Sequence, residues 1–318
     1  MSNCHSQFLA FDAFISLNKF ERNKLETSKR AVISKITKAF QDKGYKAPQF
    51  IGQGSYTMDT SIRPVSGYYD LDLGVYIKNL IGDPDDWPKT ESIHQVIFNA
   101  VDGHTSIRPI SKKSCIRVVY KSPYTDKNDI SYHIDLPVYA YKVGFWNNDP
   151  KTVIGFKGEK QWSEFSSPSD FTKWFLNQCK RNSKDENQLK RIVKYLKAWK
   201  ENCPKSPVLP NGMTLTVLAS KNFKPHQRDD VAFLETVKEF NYKLGWHFSI
   251  EKPTNPFNDL SEHMTNNEES NFMDRTERLI QIGEEALNIT SQTNSIKKWA
   301  RIFGSRFIED LNYGKLII

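Results

Sequence analysis

Hydrophobic and polar positions alternate most cleanly in two segments of this chain. The first reads Tyr69-Asp70-Leu71-Asp72-Leu73-Gly74-Val75-Tyr76-Ile77. In an extended strand it puts Leu71, Leu73, Val75 and Ile77 on one face and Asp70 and Asp72 side by side on the other. The second, Tyr132-His133-Ile134-Asp135-Leu136-Pro137-Val138, repeats the arrangement with Asp135 flanked by Ile134 and Leu136. Helical spacing appears before and between them. Leu25, Ile33, Ile36 and Ala39/Phe40 predict a helix over 21–43 that stops at Gly44. A turn-rich stretch, 52–67, leads into the first acidic strand. The breakers of Asp83-Pro84-Asp85-Asp86-Trp87-Pro88 mark a surface loop. A short helix over 92–101 and strands over 114–120 and 131–141 complete a mixed half.

After Ser167 the period is helical almost throughout. Helices are predicted from 169 onward and over 187–202, 212–220, 228–244, 268–287 and 295–303, with Pro253-Thr254-Asn255-Pro256-Phe257 breaking the run. In the 187–202 helix, Leu189, Ile192, Val193, Leu196 and Trp199 form the apolar face. Lys190, Arg191, Lys194, Lys197 and Lys200 form a charged face of the kind that is usually solvated. The pattern predicts an α+β chain. A catalytic lobe over 1–160, with an N-terminal helix and a small mixed sheet, precedes a mostly helical lobe over 161–318.

The 318 residues, 38% of them hydrophobic, suffice for one large domain or two compact lobes. No run approaches the roughly 18–20 apolar residues that span a bilayer. Met1-Ser2-Asn3-Cys4-His5 lacks the basic start and apolar stretch of a signal peptide, so a cytoplasmic protein without a membrane partner is expected. Four cysteines and seven histidines lie scattered without paired spacing, which argues against a zinc ribbon or disulfide framework. The net charge of +8 is dispersed and is compatible with nucleic-acid binding, a pocket for polyanionic nucleotides or a soluble surface; no obligate nucleic acid is expected.

The three aspartates and the preceding Gly52-Gln53-Gly54-Ser55 suit metal-dependent nucleotide transfer. Carboxylates favour hard ions such as Mg²⁺ or Mn²⁺. Two such ions can stabilise the attacking and leaving oxygens when a hydroxyl attacks an α-phosphate. Asp70 and Asp72 could bridge the pair, and Asp135 could complete the site nearest the acceptor hydroxyl. Gly54 permits close backbone approach to a phosphate, and the Ser55 hydroxyl adds a hydrogen bond.

Gln53-Gly54-Ser55-Tyr56, Asp70-Leu71-Asp72 and His133-Ile134-Asp135-Leu136-Pro137 together resemble the DNA polymerase β-type nucleotidyltransferases. The resemblance is nearest to the bacterial CD-NTases, relatives of cyclic GMP-AMP synthase. Fourteen residues separate Ser55 from Asp70, which suits the DncV-like branch. The stretches 188–199 and 296–304 resemble helices of the same enzymes. The resemblance implies a bilobed fold with a central cleft. Asp70, Asp72 and Asp135 match the metal ligands. Gln53 and Ser55 match donor-triphosphate contacts, and Lys194 matches a lysine that reaches the donor phosphates. Asn211 and Thr214 are both options for a small polar helper.

The implied activity joins NTPs (ATP, GTP or pyrimidine NTPs) into a cyclic di- or trinucleotide. In CBASS-type anti-phage signalling such a product activates a separate effector protein. The Cys/His insertion of the zinc-bearing DNA sensor is missing, which speaks against activation by double-stranded DNA. Alternatives are a linear oligonucleotide synthase, an RNA 3′-end nucleotidyltransferase, or a catalytically dead nucleotide-binding scaffold.

Overall fold

The two acidic segments become neighbouring strands. The computed structural model describes residues 2–65, 68–78, 80, 86–121, 131–142, 151–155, 157–158, 162–164, 168–181 and 185–308. Strand β2 (Tyr69–Ile77) pairs in parallel with β5 (Tyr132–Lys142). β1 (Gln49–Gln53) flanks β2 antiparallel. β5 is long enough for two antiparallel partners along its other edge. Its first half pairs with β4 (Cys115–Tyr120), which in turn carries β3 (Ile110–Ser111). Its second half pairs with β6 (Lys151–Gly155), followed by β7 (Ser163–Glu164).

The alternation read from the sequence decides which face of this sheet is covered. Leu71, Leu73, Val75, Ile134, Leu136 and Val138 are buried with Leu25, Val32, Ile36 and Phe40 of α2 (Lys19–Asp42). Ile93, Ile97 and Val101 of α4 (Thr90–Val101) join the same core. α2 starts at a capping box, in which the Asn18 side chain accepts from the Glu21 backbone and Glu21 accepts from that of Asn18. The opposite strand faces carry Asp70, Asp72, His133 and Asp135.

A second core is helical. It joins α5 (Pro168–Arg181), α6 (Gln188–Asn202), α7 (Gly212–Lys221), α8 (Asp229–Trp246), α9 (Asn266–Asn288) and α10 (Gln292–Phe303). It also includes α1 (His5–Ile15), whose Phe8 and Phe11 pack among Tyr195, Phe233, Phe303 and Phe307. The first helix of the chain therefore belongs to the C-terminal core, and a division at residue 160 does not separate the two cores. Among the described residues no helix is long and apolar enough to cross a membrane.

Most predicted elements recur within a few residues of their expected bounds. The turn-rich stretch is more regular than expected. Gly52 and Gln53 finish β1, and Gly54–Thr57 form a single helical turn, α3. Residues 83–85 of the proposed surface loop, and 159–161 at the proposed lobe boundary, lie outside the described residues.

Candidate active site

Parallel register places Asp72 opposite Asp135, and Asp70 opposite His133. Antiparallel register then places Arg117 of β4 opposite Asp135. Five charged or titratable side chains so gather on one sheet face from three adjacent strands. Arg117 donates to both Asp135 oxygens, from Nε at 2.6 Å and from a terminal nitrogen at 2.7 Å. Its terminal nitrogen also lies 3.6 Å from Asp70 Oδ1. His133 Nε2 contacts the same Asp70 oxygen.

Environment separates the carboxylates. Burial raises the Asp72 pKa, and the negative charges of Asp135 and Asp70 add to it, pushing Asp72 up to about 7. Burial also acts upward on Asp70, but the His133 hydrogen bond and nearby positive charges outweigh it and leave the pKa lowered. Asp70, His133 and Asp135 each bring one ligand atom within 4.8 Å of the others. Crowded carboxylates with hard oxygen donors fit a divalent cation, which would relieve their repulsion.

Opposite these strands, Gln53, Gly54 and Ser55 stand at the β1–α3 junction. Gly54 has φ +70°, and a Cβ there would lie 2.1 Å from Asp72 Oδ2, so only glycine lets this turn approach the carboxylate. Ser55 Oγ shares a 3.0 Å hydrogen bond with Ser61 Oγ. Gln53 is buried and donates to the Tyr139 hydroxyl at 3.2 Å. All three line a cavity of about 580 Å³ with Asp70 and Asp72. The exposed Tyr68 lines it too, whereas Tyr69 is buried in the core, as its place on the Leu71 face requires. Phe171 of α5, Lys197 and Glu201 of α6 and Thr216 of α7 close the other side. The cavity thus lies between the two cores.

Residues 48–139 match the family described as "Cyclic GMP-AMP synthase DncV-like, nucleotidyltransferase domain". Across this nucleotidyltransferase domain the chain is similar to the bacterial CD-NTases. It is similar to the cyclic GMP-AMP synthase of Escherichia albertii, 28% identical over 218 residues, which cover 66% of this chain and 45% of that protein. It is also similar to the cyclic AMP-AMP-AMP synthase of an Acinetobacter species, 22% identical over 80% of this chain and 71% of that one. The chain therefore spans about half the length of the first of these relatives. The fold is that of the Vibrio cholerae di-nucleotide cyclase DncV, solved with ATP and GTP. That match has a TM-score of 0.79 at 17% identity and covers 97% of both chains.

The expected site residues fall into two groups. Asp70, Asp72, Asp135, Gln53, Gly54 and Ser55 come together. Lys194 does not join them. Its ammonium is buried, 2.6 Å from Asp12 Oδ1 and donating to Ser16 Oγ at 2.8 Å, where α6 packs on α1. The α6 lysine that lines the cavity is Lys197, which donates to the Thr60 carbonyl at 2.8 Å. Burial lowers its pKa to about 8, assisted by the charge of Lys194.

The expectation of a solvated charged face on α6 is thus corrected. Arg191 is likewise committed, to Asp229 at 2.6 Å and Asp185 at 2.7 Å. Asn211 caps α7 by accepting from the Met213 and Thr214 backbones, and it is Thr216, one turn further along, that lines the cavity. His133 was legible as a same-face neighbour of Asp135, two residues away, but it reads in sequence as a pocket wall. Arg117 needed the β4–β5 register to be placed.

Proposed function

We propose that the chain is a template-independent nucleotidyltransferase that joins NTPs into a cyclic di- or trinucleotide, a second messenger of CBASS-type anti-phage signalling read by a separate effector protein. The observation that supports this reading is the meeting of Asp70 and Asp72 with the Gly54–Ser55 turn and Lys197 around one cavity, with Asp135 beside Asp72 in the sheet register. ATP, GTP or pyrimidine NTPs are the proposed substrates, and the cytoplasm the proposed location.

Asp70, Asp72 and Asp135 would hold two Mg²⁺ or Mn²⁺ ions, which when bound neutralise charge on the attacking and leaving oxygens. The chain's own groups position the reactants. Gly54 leaves room for the donor triphosphate, and the Ser55 hydroxyl donates to it. Lys197, rather than Lys194, supplies a desolvated positive charge on the helical side. Arg117 fixes the orientation of Asp135 through its two-pronged contact, and His133 steadies Asp70. An acceptor hydroxyl then attacks the α-phosphorus; the new O–P bond forms as the bond to pyrophosphate breaks. The product keeps its own 5′-triphosphate. Turned round in the same cavity, it becomes the donor for ring closure. A cavity of about 580 Å³ suits a short confined product better than a growing polymer.

Product analysis tests this. NTPs with Mg²⁺ or Mn²⁺, and no added DNA or RNA, are expected to give a phosphatase-resistant cyclic nucleotide by mass spectrometry. Excess EDTA, or Asp70→Asn with Asp72→Asn, should abolish it while leaving the fold intact. A ladder of linear, phosphatase-sensitive oligomers, or strict need for an RNA acceptor, would overturn the cyclase reading. Full turnover in the double variant would overturn the site.

A further inference from the structure

Helix α6 separates two cavities. Lys197 and Glu201 line the active-site cavity. Trp199, Asn202 and Cys203 line another, of about 780 Å³, which α9 and α10 complete. Its floor is apolar, with Trp199, Leu279 and Ile302 all buried. Its walls are basic. Arg275 and Arg278 come from α9 and Lys298 and Arg301 from α10, each pair three residues apart and so on one face of its helix. Glu285 is the one carboxylate among the lining residues.

The four cations are not equally engaged. Lys298 takes Glu285 as its ion-pair partner, with Arg301 acting on the same carboxylate electrostatically. Arg275 is held by uncharged groups: Nε donates to Asn271 Oδ1 at 2.8 Å, and its terminal nitrogens donate to the carbonyls of Pro204 at 3.2 Å and Ser206 at 3.4 Å. The exposed Arg278 and Arg301 side chains make no hydrogen bond or ion pair with a described residue. Three guanidiniums therefore border one concave space that holds a single, shared carboxylate. Like charges placed so repel one another, and an anion between them reverses the sign of that energy.

We infer that this cavity is a second anion-binding site, for a phosphate-bearing small molecule of nucleotide size. The planar guanidinium fork matches a phosphate in a two-pronged way that a lysine cannot. The volume lies in the range of small-molecule sites, and the apolar floor suits a flat ring system such as a base. Nucleic acid is the less suitable occupant, because the guanidiniums border a concave cavity and not an extended groove. The site shares no lining residue with the active-site cavity, and α6 stands between the two.

Calorimetric titration of the full chain with ATP, and separately with inorganic pyrophosphate, tests the assignment. One binding event for each probe is expected to survive Asp70→Asn with Asp72→Asn and Lys197→Ala. Arg278→Glu with Arg301→Glu should weaken that event by about tenfold or more. It should also weaken several-fold between about 50 and about 300 mM KCl. ATP should bind more tightly than pyrophosphate, because the floor contributes. Both arginines are exposed, so the variant should melt at the wild-type temperature, and Arg278→Gln with Arg301→Gln should give a smaller loss in the same direction. The inference is overturned if no binding event outlasts the active-site substitutions, or if the arginine variants bind as the wild type does. Preference for pyrophosphate would overturn the nucleotide size. Arginine-dependent binding of single-stranded RNA, without binding of either small probe, would reassign the surface to nucleic acid.

Discussion

At the scale of single residues, the site depends on which charges are already committed. Lys194 and Lys197 lie three residues apart on α6 and look alike in sequence. Lys194 is saturated by Asp12 and Ser16, whereas Lys197 faces the cavity and the neutral carbonyl and hydroxyl of Thr60. Lys197→Ala should therefore lower kcat/KM for NTPs by about tenfold or more, the loss of a charge-assisted phosphate contact being about 1.5–3 kcal/mol. Lys194→Ala should instead lower the melting temperature, since breaking a buried ion pair costs about 3 kcal/mol. Steady-state kinetics beside thermal melts separate the two. Equal kinetic effects with no change in stability would contradict this division.

At the scale of elements, two short segments hold their shape through specific contacts. The β1–α3 turn requires glycine, because Gly54 combines a left-handed backbone with an approach to Asp72 that a methyl group would block. Gly54→Ala should cost about 1–3 kcal/mol in stability. It should also displace Asp72, so that activity measured well below the melting temperature falls further than the stability loss explains. The segment between α8 and α9 is held by Asp259, whose Oδ1 accepts from the backbones of Ile250 at 3.0 Å and Ser261 at 2.8 Å. Burial acts upward on this carboxyl, but these bonds and that of the Ser261 hydroxyl prevail and bring the pKa down to about 2, from 3.8. A depressed carboxylate pKa contributes stability that is present above the unfolded value and lost as pH falls through the folded one. Asp259→Ala should thus be less stable than wild type at neutral pH, and the gap should close between about pH 4 and pH 2. Denaturant titrations across that range would show it, and a gap independent of pH would contradict it.

At the scale of the whole molecule, the helical core is closed by the start of the chain. Phe8 makes edge-on contacts with Tyr195, Trp299 and Phe307, residues nearly two hundred to three hundred positions away. Phe8→Ala should cost about 3–5 kcal/mol and perturb Trp299 fluorescence, and a surface-like loss below about 1 kcal/mol would contradict the packing. The sequence by itself determined what is local: the alternation that points Asp70, Asp72 and Asp135 away from a core, the helical faces, and the glycine before the serine. Those follow from backbone periodicity, which needs no distant partner. The pairing of Asp72 with Asp135, and of Asp135 with Arg117, was decided by strand register across tens of residues. The membership of α1 in the C-terminal core, and the rotation of α6 that turns Lys197 and not Lys194 to the cavity, were likewise tertiary decisions. Two side chains three residues apart on a helix point only about 60° apart, so which one meets the cavity depends on how the helix seats against its neighbours.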